Sequence, residues 1–211
     1  QAIYLSGAGV ANASYGLPDL ALTSRDNVLE DLRRIKGVCD LPILVDCDTG
    51  WGSGLNISKT IKEMINAGAD AVHLEDQVSE KRCGHRPGKE IVSSDEMEDR
   101  IKAAKDSIDN KNFMLMARTD AFSKEGISSV IDRSNAYIEA GADSIFPEAI
   151  TKLDDYLEIS KNVNAPILAN ITEFGLTPMF EINELKNSGV KTILYPLSAF
   201  RAMSKSAEEI Y

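Results

Sequence analysis

The segment Lys81-Arg82-Cys83-Gly84-His85-Arg86 holds four basic or potentially basic side chains and a thiol within six residues. Neighbouring cations stabilise a thiolate, so this spacing predicts a Cys83 pKa lowered towards neutrality and a thiol usable as proton donor or base. Gly84 lets the backbone approach a ligand closely. The competing reading is an exposed basic loop with an incidental thiol. A second pattern, Asp46-Cys47-Asp48, places carboxylates at i and i+2, on the same side of an extended chain. All-oxygen ligands without His suit Mg²⁺ or Mn²⁺ better than zinc. A loop cap would use the same two residues. Cys39 and Cys47 lack cationic neighbours and read as packing residues, and His73, inside an apolar run, reads as a structural histidine.

These residues need elements to position them. Short, continuous apolar runs, typical of parallel strands covered on both faces, occur at 2–5, 42–45, 71–74, 113–117, 144–146, 166–169 and 192–195. Between them the 3.6-residue period predicts helices. One face carries Val28, Leu29, Leu32 and Ile35, and another Ile57, Ile61, Met64 and Ile65. A third carries Met97, Ile101, Ala104 and Ile108, opened by Ser93 with Glu96 at capping-box spacing. A fourth carries Ile127, Val130, Ile131, Tyr137 and Ile138; further helices are predicted over 153–163 and 182–188. Gly68, Gly141 and Gly189 each stand between a helix and the next strand, where a left-handed C-cap would need glycine. Repeated βα units without a linker predict an α/β fold, a (β/α)8 TIM-type barrel, with residues 1–211 forming a single domain. An open doubly wound sheet is the runner-up, but no Gly-x-Gly-x-x-Gly follows a strand. The chain opens without Met inside an apolar run, and barrels typically run to about 250 residues. The expectation is therefore an incomplete barrel, lacking its first strand.

In a barrel, side chains just past the strand ends converge on one mouth. Those positions are Ser6-Gly7-Ala8, Asp46 and Asp48, Glu75 and Asp76, Arg118 and Asp120, Glu148, Asn170 and Thr172, and Pro196 with Ser198. A solvated rim would also be polar. However, so many carboxylates repel one another and call for a counter-charge, which a divalent cation would supply. Arg118, His85, Lys81, Arg82 and Arg201 add positive charge, so the mouth suits a small polycarboxylate bound by arginine forks and a metal.

Composition narrows the partners. With 33 acidic against 23 basic residues the formal charge is -10, which argues against nucleic acid or an anionic membrane surface. No run approaches the roughly 18 apolar residues of a membrane span. Three cysteines in a chain of this length do not make a disulfide framework, which points to a reducing, cytoplasmic compartment.

The stretch Lys81–His85 resembles the signature loop of the isocitrate lyase / phosphoenolpyruvate mutase superfamily, and its Lys-Arg form resembles the 2-methylisocitrate lyase branch. Matching stretches follow in family order at 4–9, 45–52, 74–77, 117–120, 146–149, 170–175 and 195–201. The resemblance implies Mg²⁺-dependent cleavage of 2-methylisocitrate, a tricarboxylate, to pyruvate and succinate in propionate catabolism. It implies that Ser6, Gly7 and Ala8 hold the pyruvate part and that Asp46 and Asp48 hold the metal, largely through waters. Cys83 would be the catalytic acid/base, with Gly84 and His85 beside it on a gating loop. Arg118, Glu148, Asn170, Ile171, Thr172 and Arg201 would complete the substrate pocket. Tyr4 is a candidate for removing the hydroxyl proton, or else a packing aromatic. The resemblance also implies a homotetramer whose C-terminal helices swap between subunits, helices that lie beyond Tyr211. Isocitrate lyase is the nearest rival, from which Phe146-Pro147 and Leu194 resemble the methyl-accommodating version. Oxaloacetate decarboxylases and phosphonomutases share the barrel and the Asp-x-Asp, and a relative that only binds or assembles without catalysis is a further rival. The intact Cys83 loop counts against each of these.

Overall fold

The computed structural model describes residues 1–86 and 88–211. Among them are seven strands: β1 (Ile3–Leu5), β2 (Ile43–Asp46), β3 (Ala71–Glu75), β4 (Met114–Thr119), β5 (Ser144–Pro147), β6 (Leu168–Asn170) and β7 (Thr192–Leu194). Each falls within two residues of the apolar run that predicts it. Burial is continuous along β5 and β6, as strands covered on both faces require.

All pairs are parallel and in chain order, β1 to β5 in one ribbon and β6 with β7 in another. The bridge Ile145↔Ile167 joins the two. A doubly wound sheet needs a point where strand order reverses, and there is none among the described residues. The ribbon also curls. Tyr4 of β1 and Leu44 of β2 pack on the same inner cluster as Met116, Phe146, Leu168 and Leu194, which come from β4 to β7. A flat sheet cannot bring its first and last strands onto one cluster; a TIM-type barrel does.

Helices cover the outside. They are α1 (Gly7–Gly9), α2 (Arg25–Lys36), α3 (Gly54–Asn66), α4 (Ser94–Lys105), α5 (Phe122–Glu139), α6 (Leu153–Asn162), α7 (Ile182–Asn187) and α8 (Ser198–Ile210). The centres of the predicted faces are buried, among them Leu32, Ile57, Ile61, Met64, Met97, Ile101, Val130 and Tyr137. Ile35, Ile65, Ile108, Ile127, Ile131 and Ile138 lie half-buried at the margins. Ser93 caps α4 by accepting from the Glu96 N–H at 3.2 Å. The carboxylate of Glu96 turns to Arg100 instead of completing the predicted box. α5 kinks at Gly126, where φ is +79°. Three helical segments have no counterpart in the sequence pattern, one of them a π-helical turn over Val10–Ser14 directly after α1. α1 is a glycine-alanine turn with no period to detect, and α8 buries no side chain, so it lacks a core stripe. Among the described residues, no helix is long and apolar enough to cross a membrane.

The helix-to-strand glycines do more than turn the chain. Gly68 and Gly141 have φ of +99° and +118°, and a Cβ there would stand 2.8 Å from Lys36 Cγ and 2.9 Å from Lys105 Cγ. Each lysine lies across the glycine to reach the aspartate two residues on: Lys36 to Asp70 at 3.2 Å, Lys105 to Asp143 at 2.7 Å. Those aspartates in turn accept the backbone N–H of Ile43 and of Leu115, each at 2.9 Å. The repeated Gly-Ala-Asp is thus a strap tying one βα unit to the next at the face opposite the mouth. Gly141→Ala, strained in backbone and crowding Lys105, should cost about 1–3 kcal/mol. Urea unfolding measures this; an unchanged midpoint would refute the strap.

Candidate active site

The strand ends open on one cavity of about 90 Å³. Tyr4, Ser6, Ala8, Asp46, Cys83, Gly84, His85, Arg118, Glu148, Asn170, Thr172 and Arg201 line it, together with Glu75, Asp19 and Lys81. Gly7 and Asp48 stand directly behind. The Gly7 N–H donates to Asp46 Oδ2 at 3.0 Å, and the Asp48 N–H to Asp46 Oδ1 at 3.1 Å. Asp48 adopts φ +47°, a left-handed conformation that Asp tolerates better than most residues and that brings its own amide back onto Asp46.

Arg118, from β4, is the floor of this cavity. Its Nε donates to Asp120 Oδ2 at 2.9 Å and stands 3.4 Å from Glu75 Oε2; its Nη2 reaches Glu148 Oε2 at 3.2 Å. The guanidinium carbon lies 5.2 Å above the Phe146 ring centre, which fixes its plane. Burial would raise the Glu148 carboxyl, but Arg118 and His85 hold it well below the usual range. Glu75 is pushed up by burial, which Arg118 only partly offsets.

On the opposite wall, burial would raise Asp46 too, but His73, Lys81, Arg118 and the Gly7 N–H keep it low. Asp48 goes the other way, up to about 7, through burial and the Asp46 charge beside it. Lys81 answers that charge, 2.7 Å from Asp48 Oδ1 and 2.7 Å from Asp19. Burial would lower its ammonium, but Asp48, Asp46 and Glu75 raise it. Glu75 Oε1 is buried with no hydrogen-bond partner. This excess of buried carboxylate oxygen fits a hard divalent cation. Among the described residues, no group of three or more His, Cys, Asp or Glu is arranged to enclose one. The donors therefore fit a cation held by one or two carboxylates, with water or substrate supplying the rest, as Mg²⁺ prefers.

The loop lies folded into the mouth. His85 Nδ1 accepts the Leu176 N–H at 3.0 Å, while its Nε2 stands 3.1 Å from Glu148 Oε1. Asn170 spans the same carboxylate at 3.2 and 3.3 Å. The expected depression of the Cys83 thiol is not found. Burial raises its pKa above the ordinary 9.0, outweighing a hydrogen bond from the His85 backbone. The reason is visible in its cationic neighbours. Lys81 is spent on Asp48 and Asp19, His85 faces Glu148, and Arg82 and Arg86 are exposed. Tyr4 is corrected likewise. Its hydroxyl lies 2.9 Å from His73 Nε2 and 3.3 Å from Asp46, and burial with the Asp46 charge lifts its pKa well above 10.0. So held, the phenol is protonated and donates to Asp46. His73 is a supporting residue, stacked on Tyr4 and lowered to about 4 by burial, hence neutral.

Ile171 is not a pocket residue: its side chain is fully buried in the core between sheet and helices. Asp76 also faces away from the mouth, bonded to Thr119, Tyr137 and the Asp120 N–H. Phe146 and Leu194 lie in the inner cluster beneath the cavity rather than on its wall. Asp19 and Lys89 join the site without any signal in the sequence. Asp19 follows no strand, and Lys89 reads from sequence as an ordinary surface lysine.

A family model described as phosphoenolpyruvate phosphomutase matches residues 1–211. The chain is 58% identical over 217 aligned residues to the 2-methylisocitrate lyase of Vibrio cholerae serotype O1, covering all of this chain and 70% of that one. To the 2-methylisocitrate lyase of Escherichia coli K12 it is 57% identical over 212, covering 100% and 72%. A crystal structure of 2,3-dimethylmalate lyase, a PEP mutase/isocitrate lyase superfamily member, superposes with a TM-score of 0.94 at 31% identity, over 99% of this chain and 70% of that one.

Two substitutions test the placement. A Cβ at Gly84 would collide with Glu148 Cγ and Arg118 Nη2, so Gly84→Ala should abolish ligand binding while the circular-dichroism spectrum is kept. Ile171→Val should cost about 0.5–1.5 kcal/mol of stability, as a buried methylene does, with KM unchanged. A raised KM at full stability would return Ile171 to the pocket.

Proposed function

The chain belongs to the phosphoenolpyruvate phosphomutase family, and from that premise we propose that it cleaves 2-methylisocitrate to pyruvate and succinate, a carbon–carbon lyase reaction of propionate catabolism. One observation carries this reading within the family. The Lys81–His85 loop is folded over the strand ends so that a protonated thiol, Cys83, shares a cavity with Arg118, Glu148 and the Asp46 wall. The relatives named above, at 57–58% identity, support the same substrate.

The chemistry asks for three things from this chain. The C2 hydroxyl gives its proton to an ionised carboxylate of the lining, such as Glu148, which Arg118 and His85 hold deprotonated; the C2–C3 bond breaks, and its electron pair passes into the carboxylate of the nascent succinate. Arg118 offers a fixed, desolvated positive charge for the carboxylates, the preorganised electrostatics such a charge build-up needs. Cys83 then delivers a proton to C3. A thiol held above 9.0 is in its donor form throughout the neutral range, so the raised pKa suits an acid better than the depressed one expected from sequence. Asp46 and Asp48 would hold Mg²⁺ or Mn²⁺, which when bound lowers the pKa of the C2 hydroxyl and secures the 2-oxo acid product. Ser6, Gly7 and Ala8 offer backbone and hydroxyl groups beside that wall for the pyruvate part. Asn170, Thr172, His85 and Arg201 complete the polar lining. The loop folded over the mouth leaves a cavity of about 90 Å³. The loop must therefore open for entry and close before chemistry, excluding water from the carbanion-like intermediate.

The coarser features fit the same picture. Residues 1–211 act as one barrel domain, and an eighth strand of a (β/α)8 barrel would pair the edges of β1 and β7. α8 buries no side chain and leaves Met203 and Ile210 exposed, so we place it against a second subunit in a helix-exchanging homotetramer. The three cysteines are free thiols, in keeping with a reducing cytoplasmic setting.

Activity should disappear in excess EDTA and return with Mg²⁺ or Mn²⁺, and Asp48→Ala should not be rescued; full turnover in EDTA would remove the metal from the reading. 2-Methylisocitrate should exceed isocitrate in kcat/KM by about 10–200-fold, the worth of one methyl, and equal ratios would point to isocitrate lyase. Cys83→Ser should lower kcat by about 10²–10⁴-fold. The sign of the pH effect follows from the acid role. Wild-type kcat should hold through neutral pH and fall only as pH rises past the raised thiol pKa, above 9.0. An alkaline limb centred near 7 would mean that the acid is another group.

A further inference from the structure

A buried lysine just past the loop takes no part in that chemistry. Lys89 is 7% exposed. Its ammonium donates to the Gly84 carbonyl oxygen at 2.6 Å and to Asp120 Oδ1 at 2.9 Å. Asp120 is the carboxylate whose other oxygen receives Arg118 Nε. On the other side of Cys83, the side chain of Gln77 is buried after β3. It accepts the Arg82 N–H at 3.0 Å and donates to the Arg82 carbonyl at 2.9 Å. An ammonium is strongly hydrated, and removing it from water is costly unless the burial is compensated. Asp120 alone would balance the charge. The second contact, to a backbone carbonyl beside the thiol, calls for its own explanation.

Resting on the reading of Cys83 as proton donor, we infer that Lys89 and Gln77 are positioning residues that hold the backbone of Gly84 and Arg82, the two residues flanking Cys83, and so fix where the thiol meets the cavity. Residues 81–86 belong to no helix or strand, so no ladder sets their backbone. Holding such a segment still costs conformational entropy that local bonds must offset. Gln77 does this as a strand partner would, with one donor and one acceptor on the same residue. Lys89 adds a link to the substrate side: the Asp120 carboxylate that anchors it also orients Arg118. The acid and the guanidinium are thereby referred to one fixed group, and proton transfer tolerates little misplacement. The chemical step is unchanged: the S–H bond of Cys83 breaks, a C–H bond forms at C3, and the thiolate is later reprotonated from solvent.

The test uses the full chain with Lys89→Met, Lys89→Arg and Gln77→Leu, each checked for fold by circular dichroism. Two quantities are read: steady-state kinetics on 2-methylisocitrate, and the iodoacetamide alkylation rate of Cys83 in the free enzyme, resolved by peptide mass. Lys89→Met and Gln77→Leu should each lower kcat about 10–100-fold, the worth of one charge-assisted or paired hydrogen bond, with KM little changed. Alkylation of Cys83 should quicken by a similar factor as the loop is released. Lys89→Arg should recover part of both. Added to Cys83→Ser, Lys89→Met should cause no further loss, because it acts through the thiol. A folded Lys89→Met with wild-type kcat and alkylation rate overturns the inference, as does a full additional loss in the Cys83→Ser background. If Lys89→Met does not fold, Gln77→Leu decides by the same two readouts. If Cys83→Ser itself turns over normally, the donor reading fails, and the alkylation rates alone decide whether the clamp exists.

Discussion

The site is organised by a single buried guanidinium. Arg118 meets Asp120, Glu75 and Glu148 within 3.4 Å and lies over Phe146, so its plane and position are set from four directions before any ligand arrives. Breaking one partner of a buried ion pair leaves an uncompensated charge costing about 3–5 kcal/mol. Here three carboxylates share one guanidinium, Asp120 with Lys89 as its second partner, and Glu148 passes the dependence on to His85 and Asn170. A lysine could not replace it, because a point charge lacks the fork that faces Asp120 and Glu148 at once. Catalysis by preorganisation needs such a group to be rigid while empty. The barrel supplies that rigidity by mounting Arg118 on a strand rather than a loop.

The opposite wall has the reverse imbalance. Asp46 and Asp48 are adjacent carboxylates with too little positive charge, and Asp48 rises to about 7 as a result. Lys81, carried by the loop, is drawn in to answer it. This one contact explains two findings together. It keeps the loop folded into the mouth, and it removes from Cys83 one of the cations that the sequence places beside it. A basic loop over an acidic mouth therefore leaves its thiol protonated, because the cations pair with carboxylates and the sulfur is left with burial.

Most of the fold was legible because each strand is a continuous apolar run and three αβ turns are marked by Gly68, Gly141 and Gly189. α8 was not, since a helix with no buried side chain leaves no periodic trace. Within the site, the rule that strand ends converge found Asp46, Arg118, Glu148, Asn170 and Thr172. Choosing between neighbours required the two-residue alternation of a strand. Asn170 and Thr172 face the cavity, so Ile171 between them faces the helices; Glu75 faces it, so Asp76 does not. The alternation is present in the sequence; the strand-end rule takes Asp76 together with Glu75, and the resemblance adds Ile171 to its neighbours. Lys89 and Asp19 were beyond reach, because their partners are fixed only when separate strand ends come together.

The same alternation sets what each half of the barrel can be used for. Outward-facing Asp76 is bonded to Thr119, Tyr137 and the Asp120 amide, so the group that orients Arg118 is itself held from the helix side. At the far face, Lys105 and Asp143 tie β4 to β5 through Gly141. Strand β4 is thus secured at both ends, and Arg118 and Asp120 lie at its upper end. A mouth crowded with buried carboxylates is an expensive place to build a site, and it survives because the cost falls on a strand that its neighbours already hold. The loop over the mouth carries Lys81 and Cys83. The loop touches the strand ends through Lys81 on Asp48, His85 on Glu148 and, just beyond it, Lys89 on Asp120, the carboxylates whose charge the rest of the mouth is arranged to balance.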